Sequence, residues 1–167
     1  RMANTLNYLD IKTVVVSCGT CYDALAEYRF EDIFSGCRIV DIHEFLLEKN
    51  IKLDGVAGQQ YLYHNPCHTP IKSMDGAKLA SALIGQNVPL SDRCCGESGM
   101  FAVKRPDIAT QVKFRKQEEI EKNLAALPQG EPVKMLTSCP ACLQGLSRYA
   151  EDNNLPADYI VIEMAKR

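Results

Sequence analysis

The sequence predicts an α/β fold: a mostly parallel sheet with helices on both faces, built from repeated strand–Cys-x-x-Cys–helix units. Three observations lead there. Short apolar runs alternate with amphipathic ones along the 167 residues, the pattern of strand–helix units that layer helices on a sheet. The run Thr13-Val14-Val15-Val16-Ser17 is continuous and β-branched, as suits a strand buried on both faces. The segment Val15 to Tyr28 resembles Leu136 to Tyr149: each has a strand-like run, then Ser-Cys-x-x-Cys, a helical pattern, and a tyrosine seven residues after the second cysteine. Self-similarity of this kind points to two related modules. Residues 1–50 are therefore expected to be the tail of an upstream cysteine-rich module. Residues 51–167 are expected to form a cysteine-rich module of their own, the two packed as one compact unit of a longer protein.

The elements follow in order. Asp23 to Tyr28 has a helical pattern. Ile39 to Ile42 reads as a short strand before a helix over Glu44 to Lys49, and Gly55 to Gly58 as a loop. Gln60 to His64 is a strand ended by Asn65-Pro66. Asp75 to Ile84 is a helix with Leu79, Leu83 and Ile84 on one face, stopped by Gly85. Pro106 suits a first helical position and opens a helix to about Leu127. Its charge-rich middle, Lys113 to Lys122, reads as a solvated face with Glu118–Lys122 pairing. Val133 to Thr137 is a strand. Cys139-Pro140 opens a helix through Leu143, Leu146 and Tyr149. Asp158 to Ile162 reads as a last strand before a helix-like end.

Composition narrows the function classes. The formal charge is −2, with Lys and Arg spread along the chain, which argues against a nucleic-acid surface. No apolar run approaches the roughly 20 residues that cross a bilayer. A chain of this length buries roughly 70% of its unfolded surface and needs no disulfides to fold. Eight cysteines without a basic, apolar, small-residue leader point to the cytoplasm, with a peripheral place at the inner membrane face as an option. There thiols stay reduced, and such clusters bind metal or do redox chemistry.

The chemistry concentrates in Arg93-Cys94-Cys95-Gly96-Glu97-Ser98-Gly99. Adjacent cysteines point apart and are strained if bonded to each other. They can instead reach two atoms of one nearby object, which Gly96 and Gly99 let the backbone approach. Cys67 upstream and Cys139 and Cys142 downstream offer further sulfurs. A Cys-x-x-Cys at a helix start favours thiolate, the metal-binding form, and Pro140 costs no hydrogen bond there. One such pair alone fits a redox dithiol, half a zinc site or half an iron–sulfur site. Together Cys67, Cys94, Cys95, Cys139 and Cys142 offer one thiolate more than a closed zinc site takes. They suit a cluster of several irons, with zinc, dithiol chemistry and inert thiols as alternatives. The five are expected to converge in space.

Other candidates stand around them. His64 and His68 flank Cys67, either as ligands or hydrogen-bond donors to cluster sulfur or as plain strand-end and loop histidines; His68 is the better candidate to support the ligands. Gly96 and Glu97 stand next to the double cysteine, with Glu97 read as a structural carboxylate or else a proton carrier. His43 reads as structural and Cys37 as a small buried residue. Cys18 and Cys21 match Cys139 and Cys142, yet no second Cys-Cys-Gly serves them. They are expected to sit close together as an incomplete second metal site, away from the five, at an exposed apolar edge where an upstream module packs. Two reduced thiols capping a helix is the alternative. The sequence has no Ser/His/Asp constellation, phosphate loop or dinucleotide fingerprint, so no flavin site is expected in this chain.

These residues resemble the CCG cysteine-rich domain found in heterodisulfide reductase and in the iron–sulfur subunits of glycolate and D-lactate oxidases. Cys67, Cys94-Cys95-Gly96 and Cys139-x-x-Cys142 follow its cysteine pattern. Tyr63 to His68 and Cys94 to Phe101 match the residues around it. The resemblance runs from Thr13 to about Met164 and is nearest to the C-terminal part of large FAD-linked oxidases with their own iron–sulfur modules. It implies two modules per protein and, as in heterodisulfide reductase, a non-cubane 4Fe–4S cluster on five cysteines. The interval from Cys67 to Cys94 is shorter, and that from Cys95 to Cys139 longer, than the family's usual pattern, and some members hold zinc in one module. Two redox functions are implied. In one, electrons pass from an FAD-containing domain or subunit, reduced by a 2-hydroxy acid such as D-lactate or glycolate, through the cluster to a quinone or cytochrome. In the other, a disulfide is reduced at the cluster. A zinc-stabilised docking domain is a third, non-redox reading. The implied partners are the flavin domain, the upstream cysteine-rich module and the acceptor, with no nucleic acid.

Overall fold

Every strand pair among the described residues is parallel, as expected when strands are joined by helical crossovers. The computed structural model describes residues 2–34, 36–97, 100–150 and 152–167. In chain order the elements are α1 (Met2–Tyr8), β1 (Thr13–Val16), α2 (Gly19–Glu27), α3 (Phe30–Ile33), β2 (Arg38–Asp41), α4 (Ile42–Glu48), β3 (Gln60–His64) and α5 (Gly76–Ile84). Then come β4 (Leu90–Ser91), α6 (Phe101–Lys104), α7 (Pro106–Ala126), β5 (Val133–Thr137), α8 (Pro140–Leu146), β6 (Ala157–Tyr159) and α9 (Ile160–Ala165). The strands form two sheets: β1–β2, and a four-stranded sheet in the order β4-β3-β5-β6.

The larger sheet is covered on both faces. Side chains alternate along β3. Tyr61 and Tyr63 pack with Leu79, Leu83 and Ile84 of α5 and Ile160 and Met164 of α9. Leu62 points the other way, into Met135, Ile120 of α7, Leu146 and Tyr149. The smaller sheet has its own cluster of Phe30, Phe34, Cys37 and Ile39, so Cys37 is the small buried residue the sequence suggests. β1 departs from expectation. It has one neighbour, β2, and Val15 is exposed, so this strand is not buried on both faces.

Local signals end the helices where the sequence places them. The Asp75 carboxylate accepts from the backbone N–H groups of Ala77 and Lys78 at 3.0 Å, satisfying two orphan donors of α5. Gly85 ends that helix at φ +79°, where an added Cβ would stand 2.2 Å from the Leu53 carbonyl oxygen. Asp41 caps α4 through the His43 N–H and lies 2.8 Å from His43 Nδ1, both residues fully buried. His43 is structural.

Two readings need correction. The expected strand Asp158 to Ile162 stops at Tyr159, because β6 pairs with β5 over only three positions, Ala157 to Tyr159. Ile160 to Ile162 begin α9, which carries Glu163 inside. The stretch Lys113 to Lys122 is not simply a solvated face: Lys116 and Ile120 are fully buried. Glu118 lies 3.5 Å from Arg93 rather than pairing with Lys122 among the described ion pairs. The elements α1, α3, α6 and β4 carry no local signal read above. No helix among the described residues is long and apolar enough to cross a membrane.

Glu163 fastens α9 to the sheet. Its carboxylate accepts from the Tyr61 hydroxyl at 2.6 Å, from Lys134 Nζ at 2.7 Å and from Arg167 Nη2 at 3.0 Å. Burial pushes this carboxyl up, but Lys134, Tyr61 and Arg167 together hold it down at about 2. A depressed folded-state pKa contributes stability above the unfolded value and loses it as pH falls. Glu163→Gln should therefore cost about 3 kcal/mol at neutral pH. That difference should shrink below pH about 4.5 and vanish as pH approaches 2. Urea unfolding of both proteins across this range checks it.

Candidate metal centre

Open parallel sheets gather their sites at the carboxyl ends of the strands. Here β3 ends at His64 and leads through Asn65-Pro66 to Cys67. β4 ends at Ser91 and leads to Cys94-Cys95. β5 ends at Thr137 and leads through Ser138 to Cys139 and then α8 with Cys142. The register sets His64 beside both Ser91 and Thr137, so the three chain segments leave the sheet side by side.

The five sulfurs meet as a connected series. Cys67 Sγ lies 3.8 Å from Cys94 Sγ. Cys94 interacts with Cys95, Cys95 with Cys142, and Cys142 with Cys139. A ring nitrogen of His64 and the sulfurs of Cys95 and Cys142 lie within 4.8 Å of one another. All are free thiols. Cys95 and Cys142 are buried, whereas Cys67 and Cys94 are exposed, so the series has a closed end and an open end. The open end adjoins a cavity of about 600 Å³ lined by Arg93, Cys94, Val112, Phe114, Arg115 and Glu118.

The site stabilises thiolate at two positions. Hydrogen bonds from Cys142 and from the backbone N–H groups of Cys142 and Ala141 hold the Cys139 thiol down to about 6 against burial. Cys142 and Cys94, with His64 behind them, hold Cys95 far below its usual range. The Cys94 thiol is pushed up by Cys95 and by burial, and that of Cys142 by Cys139 and Cys95. The four thiols thus act on one another, with Cys95 and Cys139 held down and Cys94 and Cys142 pushed up. Soft sulfur donors, two of them held down toward thiolate, fit a thiophilic metal or cluster.

Neighbouring residues hold the segments in place. Gly96 turns at φ +77° and its N–H donates to Cys94 Sγ at 3.3 Å. Gly145 lets α8 press on the loop: an added Cβ would stand 3.1 Å from Cys95 Sγ and 2.9 Å from Glu97 Cβ. Glu97 is buried and ion-paired with Arg148. Ser98 and Gly99 lie outside the described residues.

Sequence reasoning missed Lys116 and Glu119. Lys116 Nζ donates to the Ser91 hydroxyl at 2.7 Å and to Glu119 at 2.8 Å. Glu119 in turn accepts from the backbone N–H groups of Asp92 at 2.8 Å and Arg93 at 3.1 Å. This buried pair on α7 clamps the three residues that run into Cys94-Cys95. A charged residue at the inward spacing of Ile120 was the available signal.

The histidines exchange roles. His68, the better candidate from sequence, is 71% exposed in its side chain and its Nδ1 lies 3.2 Å from the Asp23 carboxylate. Beyond Pro66 it sits on a loop and turns toward α2. His64 instead faces the sulfurs. Cys18 and Cys21 interact with each other. They are not remote, however. An added Cβ at Gly19 would stand 1.8 Å from the His68 carbonyl oxygen, so their turn packs directly on the loop that follows Cys67. Val15, Tyr28 and Tyr8 of the same N-terminal part of the chain are exposed.

Two substitutions test this support. Ala normally stabilises a helix interior by about 1 kcal/mol over Gly. Gly145→Ala should do the reverse, lowering stability by about 1–3 kcal/mol and reducing metal uptake, because its methyl group meets Cys95. Urea unfolding and metal per chain are the readouts. Glu119→Ala leaves Lys116 buried and unpaired and should cost about 3 kcal/mol. Hydrogen exchange at the Asp92 and Arg93 amides should quicken specifically.

Comparison with known proteins agrees with this geometry. The CCG family model, described as a cysteine-rich domain, matches residues 61–147, and a domain of unknown function (DUF3400) matches residues 147–167. An uncharacterized iron–sulfur protein of Methanocaldococcus jannaschii is 27% identical over 95% of this chain and 32% of its own length. A fumarate reductase (CoM/CoB) subunit of Methanothermobacter marburgensis is 30% identical over 81% of this chain and 27% of its own length. The glycolate oxidase iron–sulfur subunit of Escherichia coli is 28% identical over 62% of this chain and 25% of its own length. The chain spans about a third or less of the length of these curated relatives. No solved structure matches it. With more than half of its residues matched, the double cysteine at the centre of that match, the chain belongs to the CCG cysteine-rich domain family.

Proposed function

We propose that the chain is the iron–sulfur electron-transfer part of a larger oxidoreductase, with Cys67, Cys94, Cys95, Cys139 and Cys142 holding one cluster of the non-cubane 4Fe–4S kind. One observation carries the reading: five sulfurs from three separate segments form a continuous series. Five thiolates exceed what a closed zinc site uses. A bound cluster of this kind supplies one-electron transfer. The chain's own residues do the rest. Cys95 and Cys142 sit in the apolar cluster with Leu62, Leu146 and Tyr149, which keeps water from one side. Cys67 and Cys94 leave the other side within reach of a partner.

In the whole protein, electrons would come from an FAD-containing domain or subunit that oxidises a 2-hydroxy acid of the D-lactate or glycolate type. They would leave to a quinone or cytochrome. Similarity to the glycolate oxidase iron–sulfur subunit supports this. Cys18 and Cys21 would complete a second site with cysteines of an upstream module. Their shared geometry with Cys139 and Cys142 supports that, since Cys18 and Cys139 both cap a helix with extended backbone. A second reading, disulfide reduction at the cluster, is favoured by the cavity at Cys94.

Anaerobic iron, zinc and sulfide analysis with EPR tests the first claim. Iron with acid-labile sulfide is the expected result, and stoichiometric zinc without sulfide would overturn it. In the whole protein, Cys95→Ser should leave flavin reduction by substrate nearly normal while electron delivery to the acceptor collapses. Loss of flavin reduction with an intact fold counts against a pure relay. Rapid disulfide turnover by the reconstituted chain would favour the second reading.

A further inference from the structure

His64 ends β3 with no exposed surface, and neither ring nitrogen has a hydrogen-bond partner among the described residues. A buried polar group left in that state costs about 1–3 kcal/mol. His43, equally buried, has the Asp41 carboxylate 2.8 Å from Nδ1. His64 faces sulfur instead: a ring nitrogen lies within 4.8 Å of Cys95 Sγ and Cys142 Sγ, close enough to help hold the Cys95 thiol down but without the alignment of a hydrogen bond. These two sulfurs form the closed end of the series.

We propose that His64 is a hydrogen-bond donor to the cluster, turning one ring N–H toward a sulfur of the group that Cys95 and Cys142 hold, and that this bond raises the cluster's reduction potential. The inference rests on the iron–sulfur reading above and adds a role for a residue outside the five cysteines. Direct metal ligation fits less well. A ligating imidazole commonly donates its other N–H to a carboxylate or carbonyl, and no carboxylate or carbonyl of the described residues accepts one from His64. Five thiolates already surround the site. As a donor, the ring turns one N–H to sulfur, and only its other nitrogen stays unpaired. Reduction adds negative charge to the cluster, and an N–H aimed at its sulfur stabilises the more negative state. The potential therefore rises when the bond is present.

The test compares the chain, reconstituted anaerobically with iron and sulfide, with His64→Leu, His64→Asn and His64→Gln. The leucine variant removes both nitrogens at similar volume. The amide variants return an N–H near Nδ1 or Nε2 respectively. His64→Leu should keep iron and sulfide per chain, leave the metal-free chain at least as resistant to thermal unfolding, and lower the reduction potential. It should also lose an exchangeable-deuteron coupling in pulsed EPR of the reduced cluster, and one amide variant should recover most of the potential. An unchanged potential with a full cluster overturns the proposal. Loss of iron from a stably folded His64→Leu chain overturns it in favour of ligation. Both of those outcomes leave the iron–sulfur reading standing, whereas a wild-type chain that takes up no iron and sulfide brings both down.

Discussion

Thiolates repel one another, and sulfurs gathered into contact stay together only if the fold pins the segments that carry them. Two unit charges about 4 Å apart repel by about 4 kcal/mol at an effective dielectric near 20. The opposing restraints here act on backbone. The register of β3 with β4 and β5 fixes where three segments leave the sheet. Glu119 takes the amides of Asp92 and Arg93, and Lys116 holds Glu119 and Ser91. Gly145 brings α8 onto Cys95. None of these contacts engages a sulfur as donor or acceptor. The site is therefore shaped by the sheet, α7 and α8 through backbone contacts.

The elements that build the site were largely legible. β3, β5, α5 and α7 announce themselves by continuous apolar runs, Asp75, Gly85 and Pro106, because these signals are local. The clamp was not legible for the opposite reason. Lys116 and Glu119 sit in a charge-dense helix, and their partners at Ser91 to Arg93 lie some 25 residues away in sequence. A local reading sees only the charge. The histidines show a finer case. Distance in sequence from Cys67 favoured His68, but His64 closes a strand that is buried on both faces, while His68 follows a proline into a loop. Burial, not proximity along the chain, decided which imidazole faces the sulfurs. Ile160-Val161-Ile162 misled for a third reason: its β-branched composition suits a strand, yet tertiary context turns it into a helix that delivers Glu163 to Tyr61 and Lys134.

The repeated Ser-Cys-x-x-Cys units share their chemistry but not their surroundings. Cys18 and Cys139 each precede a helix with extended backbone, at φ −150° and −129°. The tyrosine that follows each pair diverges. Tyr149 is 1% exposed, packed in the core, with its hydroxyl donating to the Lys113 carbonyl of α7 at 3.4 Å. Tyr28 is 73% exposed. Among the described residues no helix does for α2 what α7 does for α8. The thiol-bearing turn is thus set by local geometry, and the enclosure around it must be supplied by elements further away in the chain.

Tyr159 joins the two turns. It ends β6, its hydroxyl donates to the Ser17 carbonyl at 2.8 Å, and its ring feels both Cys139 and Cys18. Gly19 pressed against the His68 carbonyl adds a second point of contact. Two contacts at separate points fix an orientation as well as a distance. The first thiol pair is therefore held in a set relation to the five-sulfur series, although no sulfur bridges them. A tyrosine tied to the backbone of one turn and buried beside the other holds that relation, and burial pushes its hydroxyl well above its usual range.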